Sequence, residues 1–99
     1  MDAYTLSTDI YCEMCATDIA LINIDTHLKG PFTDGGGEAD IPQHCTTCDL
    51  FLENPLTDIG HNYVQLACDW NTSTKHTVAL KIWSDFYNIK PQNRRNNDV

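Results

Sequence analysis

The chain has 99 residues, 41% of them hydrophobic, and a formal net charge of −8 from six basic and fourteen acidic side chains. That length holds one domain, the ordinary hydrophobic content excludes a disordered chain, and no run of eighteen apolar residues is present to span a membrane. The charge is lopsided: residues 1 to 70 carry twelve acids against Lys29 (−11), and residues 71 to 99 carry Asp85 and Asp98 against five bases (+3), a balance that repels phosphate backbones and argues against direct nucleic-acid binding.

The N-terminal stretch "MDAYTLSTDIYC" lacks the basic and apolar regions of a signal peptide, so the expected location is the cytoplasm. There, paired cysteines favour metal or redox chemistry over structural disulfides. "AYTLSTDIY" mixes β-formers with polar residues and reads as a short strand running into "YCEMC" at 11 to 15. The spacing of Ile19, Ile22 and Leu28 predicts a helix near 16 to 24, although the β-branched residues of "IALINI" also suit a strand. "GPFTDGGGEADIP" at 30 to 42, with three consecutive glycines and two prolines, reads as a loop.

"HCTTC" follows at 44 to 48, and after it the helical signals strengthen. Ile59, Tyr63, Leu66, Ala67 and Trp70 fall at i, i+4, i+7, i+8 and i+11 and predict an apolar helical stripe packed into the core. Asn54 or Thr57 can cap it, and Pro55 suits a first turn. After "NTST", Ser73 or Thr74 can cap a second helix with Ala79, Ile82, Trp83, Phe86 and Tyr87 on one face. Two such helices with a short connection pack as an antiparallel hairpin, their aromatics filling the core. "KPQNRRNNDV" is polar; residues 91–99 are expected to be a disordered tail after a single domain at 1–90.

Cys12, Cys15, Cys45 and Cys48 form C-x2-C-x29-C-x2-C. Each tight Cys-x-x-Cys turn points two sulfurs at one centre, and two turns complete the closed tetrahedral site that structural zinc prefers. The spacer exceeds the usual 15 to 20 residues. Lengthening a loop from about 18 to 30 residues costs roughly 0.5 kcal/mol, against a zinc term on the order of 10 kcal/mol. One structural Zn2+ is therefore the expected cofactor. Three rivals use the same region: His44 replacing one sulfur, a redox-active pair opening a helix, and an iron–sulfur cluster on the four thiolates. Cys68 reads as a small buried hydrophobe. His61, two helical turns before it, is about 10 Å away along the axis, too far to serve as its base. No catalytic dyad, paired-carboxylate signature or phosphate loop is present, so the chain is not expected to be an enzyme.

The early Tyr-Cys-x-x-Cys-Ala and the later "CTTCDLFLENPLTDIGHNYV" resemble small bacteriophage proteins with two Cys-x-x-Cys knuckles followed by Leu-Glu-Asn-Pro-Leu-Thr-x-x-Gly-x-x-Tyr-Val. The match covers residues 11 to 18 and 45 to 64, with a weaker echo in "IWSDFY". The resemblance implies a zinc-ribbon-like protein of a phage and supports zinc at Cys12, Cys15, Cys45 and Cys48; it supplies no activity.

Taken with the residues, this gives a small α+β fold: a zinc-stabilised two-knuckle unit, zinc-ribbon or treble-clef-like, packed on a C-terminal helical hairpin. The expected function is a non-enzymatic acidic interaction protein that modulates or inhibits a host protein with a basic surface, such as a nucleic-acid-processing or defence complex. Glu13, Asp18, Asp49, Glu53 and Asp58, which flank the knuckles and the next helix, are the candidate contact residues. A thiol-redox or metal-handling protein using the same Cys pairs is the alternative.

Overall fold

A computed structural model describes residues 1–23, 25–70 and 77–91. The N-terminal stretch is a hairpin rather than one strand. β1 (Ala3–Leu6) and β2 (Asp9–Cys12) pair antiparallel, from Ala3 opposite Cys12 to Leu6 opposite Asp9. Ser7, at φ 58, makes the left-handed step of the two-residue turn. A Ser-Thr turn lacks the Asn-Gly signature that marks such hairpins in a sequence. β3 (Lys29–Phe32) adds to the other edge of β1, giving the order β2-β1-β3.

The chain then turns directly from β2 into α1 (Glu13–Ile22). This helix starts three residues before the expected position because Cys12 serves as its cap, its sulfur accepting from the Cys15 N–H at 3.5 Å. α1 buries only Ala16. Of the residues expected to line its inner face, Ile19 is half-buried, while Ile22 is 86% exposed.

The segment expected to be all loop begins as β3 and then packs tightly. Gly35, at φ 71, is buried, and a side chain there would collide with the Leu52 carbonyl. Its N–H donates to the Met1 carbonyl at 2.8 Å. Only glycine combines that backbone conformation with that approach.

α2 (Asp58–Asp69) is capped by Thr57, whose hydroxyl accepts from the Gly60 N–H at 3.0 Å; Pro55 lies ahead of the helix and not in its first turn. α3 spans Thr77–Tyr87, and its expected caps, Ser73 and Thr74, lie outside the described residues, as do 92–99 of the expected tail. The two helices run antiparallel. The ring of Tyr63 meets Trp83 at 6.2 Å, and His61 meets Tyr87 at 6.0 Å.

The face α2 buries is not the expected one. Ile59, Tyr63, Leu66 and Trp70 are 65%, 45%, 52% and 52% exposed; Gly60 and Val64 are buried and Cys68 packs beside them. Small residues win here because the helix sits very close to its neighbours. A Cβ on Gly60 would stand 2.8 Å from the Ala39 carbonyl and 2.9 Å from Leu56 Cδ2. On α3, Leu80 is buried and Trp83 and Tyr87 pack against the second core, but Ile82 and Phe86 remain 42% and 46% exposed.

Among the described residues the buried side chains gather in two small cores. Ala3, Cys12, Cys45 and Leu52 form one, with Ile10, Tyr11 and Cys15 packed on it; Leu56, Val64 and Ile89 form the other. Full burial of Leu52 or Val64 stabilises by roughly 2 kcal/mol each. With cores this small, a crosslink has much to add.

Candidate metal centre

The first knuckle is built by the end of β2 and the first turn of α1, which carry Cys12 and Cys15. The second is a tight turn in the ribbon from Gln43 to Leu52. There the Cys45 N–H donates to Leu50 O at 2.8 Å, the Asp49 N–H to Cys45 O at 2.9 Å, and the Leu52 N–H to Gln43 O at 2.9 Å. Asp49 takes φ 65 to close the turn.

A reciprocal pair of bonds brings the knuckles together. The Thr46 N–H donates to Ile10 O at 2.8 Å, and the Ile10 N–H donates to Thr46 Oγ1 at 3.3 Å. The 29-residue spacer therefore does not have to be closed by a metal alone: β2 itself docks against the second turn.

The outcome is a cluster of four sulfurs, from Cys12, Cys15, Cys45 and Cys48, all within 4.8 Å of one another. The Cys12 and Cys48 sulfurs, one from each knuckle, are 3.7 Å apart. With zinc–sulfur bonds of about 2.3 Å, tetrahedral geometry puts sulfurs about 3.8 Å apart. The spacing fits four ligands of a single ion. Thiolates on separate irons of a cluster point outward from it and stand farther apart than ligands of one ion. Cys12 and Cys45 are buried, Cys15 is half-buried and Cys48 is exposed, so the site lies at the surface edge of the first core.

The surroundings distribute protons unevenly over these thiols. Burial pushes Cys45 up, but backbone N–H groups of Cys12, Cys48 and Thr47 aim at its sulfur and carry it down to about 6. Cys15 is held above the ordinary thiol range by its hydrogen bond with Cys12 and by desolvation. For Cys48 the Leu50 N–H lowers the pKa, yet desolvation and contacts with Cys45 and Cys12 leave it raised. A metal ion would replace the protons shared among these sulfurs.

His44 stands beside the cluster without joining it. Trp83 Nε1–H can only donate, and it donates to His44 Nε2 at 2.9 Å. The proton therefore sits on Nδ1, which faces Asp49 O at 2.8 Å. Both ring nitrogens are committed, which leaves no lone pair for a metal. His44 instead ties the second knuckle to α3, with Phe51 packed at 5.4 Å from its ring.

A second tie is Asn54, whose importance is not visible in the sequence. It is 0% exposed. Its Oδ1 accepts from the Gln43 N–H at 2.7 Å, and its Nδ2 donates to Ile41 O and Pro55 O at 3.2 and 3.0 Å. Its own carbonyl accepts from Tyr87 Oη at 2.5 Å. Burial, with the nearby charge of Glu53, pushes the Tyr87 phenol up to about 12. Cys68 is half-buried against the second core, away from the four-sulfur cluster, and burial raises its thiol.

Of the acidic candidates, Asp49 and Glu53 border the same groove beside α3, and Glu13 borders a depression next to it. Asp18, on α1, and Asp58, in the first turn of α2, line neither. Among the described residues no helix is long and apolar enough to cross a membrane.

No protein-family model matches the chain, and no curated protein or solved structure matches it significantly.

Proposed function

We propose that the chain is a non-enzymatic, acidic interaction protein whose fold is locked by one structural zinc ion on Cys12, Cys15, Cys45 and Cys48. The observation that carries the zinc is the closeness of the four sulfurs, all within 4.8 Å. The set is all-thiolate and, among the described residues, is joined by no fifth His, Asp or Glu donor, as suits a closed structural site rather than a catalytic one. Zinc here crosslinks β2, α1 and the second knuckle, and through His44 and Asn54 the helical hairpin is held in place.

The interaction role rests on the charge: −11 over residues 1 to 70 steers the chain toward a basic protein surface. With the motif resemblance to phage proteins, the partner proposed is a host protein whose basic surface is modulated or blocked, in the manner of an inhibitor of a nucleic-acid-processing or defence complex, in the host cytoplasm.

One observation favours a second reading. Cys12 ends a strand and caps a helix that carries Cys15 in its first turn, the setting of redox-active pairs. Against it, the thiol pushed down is Cys45 of the other knuckle, while Cys15 is pushed up. A redox pair alone also leaves the second Cys-x-x-Cys without a role.

Cobalt substitution separates the readings. A four-thiolate tetrahedral site gives strong visible ligand-field bands and thiolate charge transfer that zinc displaces. A chain that takes up no cobalt, and instead forms a reversible disulfide within Cys12–Cys15, belongs to the redox reading. For the interaction role, Glu13, Asp49 and Glu53 changed to Lys should slow association with the partner while leaving metal content intact. Tight binding of duplex DNA by the wild-type chain contradicts the charge argument.

A further inference from the structure

A groove of about 460 Å3 lies between the second knuckle and α3. Its apolar lining comes from Leu50 and Phe51 on one side and Val78, Ala79 and Ile82 on the other. Leu50, Val78 and Ile82 are 46%, 73% and 42% exposed, an apolar concavity open to solvent. A smaller depression of about 200 Å3 continues it across Met1 and Leu50 to Met14 at the start of α1, where Met14 is 79% exposed.

The charged side chains described at the rim are all acidic: Asp49 and Glu53 border the groove, Asp2 and Glu13 border the depression, and among the described residues no Lys or Arg lines either. The N-terminal ammonium of Met1 is the single fixed cation among these lining residues, and it is engaged by Thr33 O at 3.0 Å.

Two of the acids also sit where their side chains do not serve the backbone. Asp49 and Glu53 have φ 65 and 56, a left-handed conformation that Asp, like Asn, visits readily but that Glu holds at a cost. The Asp49 side chain is 92% exposed, with His44 Nδ1 at 3.7 Å from its carboxylate. Among the described residues the Glu53 carboxylate has no hydrogen-bond or ion-pair partner. Glutamate is a poor choice for a left-handed turn, so its carboxylate at the rim calls for a separate reason.

The geometry points to this groove as the docking site for a cationic amphipathic segment of a partner protein, its apolar side chains entering between Leu50 and Ile82 and its Lys or Arg side chains meeting Asp49 and Glu53. Charge complementarity decides the occupant: an acidic or neutral apolar segment would leave the rim carboxylates unpaired and partly desolvated. A helix laid in the groove supplies apolar anchors at i, i+3, i+4 and i+7 with basic residues outside them. This inference rests on the interaction reading above and names where and by what chemistry the contact is made.

The test uses the full, zinc-loaded chain and three synthetic peptides of equal length. The first has Leu at i, i+3, i+4 and i+7 and Lys elsewhere, the second has the same composition scrambled, and the third has Glu in place of Lys. Anisotropy measures affinity, and amide chemical shifts locate the contact. The amphipathic Lys peptide should bind about tenfold tighter than the scrambled one, and the Glu peptide should not bind. Shifts should centre on Leu50, Phe51, Val78 and Ile82.

Val78→Glu, at an exposed position, and the pair Asp49→Asn with Glu53→Asn should each weaken binding about tenfold. The Asn pair should melt no lower than wild type, because Asn suits both left-handed positions. Equal affinity for ordered and scrambled peptides, shifts centred elsewhere, or indifference to these variants overturns the groove. Salt-sensitive binding of the Lys peptide at another face overturns the groove while leaving the interaction reading standing. No binding of either Lys peptide overturns both.

Discussion

Replacing Asn54 with Ala tests how the two halves of the molecule are joined. The side chain is fully buried and makes three hydrogen bonds to backbone groups. Pro55 O keeps a second donor, the Ala39 N–H at 3.1 Å, so it survives the loss. The Gln43 N–H loses Asn54 Oδ1 and Ile41 O loses Asn54 Nδ2, while Tyr87 keeps its bond to the residue 54 carbonyl. An unsatisfied buried group costs about 1–3 kcal/mol; with Ile41 O near the surface, two such losses come to about 3 kcal/mol. For a domain of this size, that lowers Tm by roughly 12 °C or more. The assay is urea and thermal unfolding at fixed free zinc, with Asn62→Ala on the exposed face of α2 as the control, expected within about 0.5 kcal/mol of wild type. If Asn54→Ala unfolds within about 0.5 kcal/mol of wild type, the bonds drawn from Asn54 do not hold these segments together.

Three further outcomes follow from the site. Cys15→Ser should lose most of a metal term on the order of 10 kcal/mol, whereas Cys68→Ser, outside the cluster, should cost about 1–3 kcal/mol; equal melting temperatures contradict the ligand assignment. Trp83→Phe removes the donor to His44 Nε2 and should cost about 1–2 kcal/mol without changing metal content, since His44 is no ligand; a drop in bound metal speaks against that. In the metal-free chain the Cys45 pKa lies below its ordinary value of 9.0, at about 6. Its contribution to stability is therefore present above pH 9.0 and falls away as pH drops through about 6. Thiolate absorbance should show a step near pH 6 that Cys45→Ser abolishes, and an unchanged step assigns it to another thiol.

What the sequence made legible was the local chemistry. Two Cys-x-x-Cys turns predict converging sulfurs because the turn geometry is intrinsic to the motif, and the four sulfurs do converge. Helices at α2 and α3 were readable from their 3.6-residue periodicity. The choice of buried face was not, because two apolar options existed on α2. The large residues Ile59, Tyr63 and Leu66 gave the stronger pattern, but the chain buries Gly60 and Val64, where close approach to Ala39 and Leu56 is possible. The β1–β2 hairpin was hidden by a Ser-Thr turn with no glycine. Asn54 and the His44–Trp83 pair were hidden for another reason: a buried polar residue looks like a surface one until its partners, up to 39 residues away, are placed around it.

The most direct test of the account is the metal content of the chain purified without chelator. One equivalent of zinc per chain, retained on dialysis and lost in Cys12→Ser or Cys45→Ser, is the predicted result. Less than about half an equivalent of zinc, or iron with acid-labile sulfide in its place, contradicts a single structural zinc ion on Cys12, Cys15, Cys45 and Cys48.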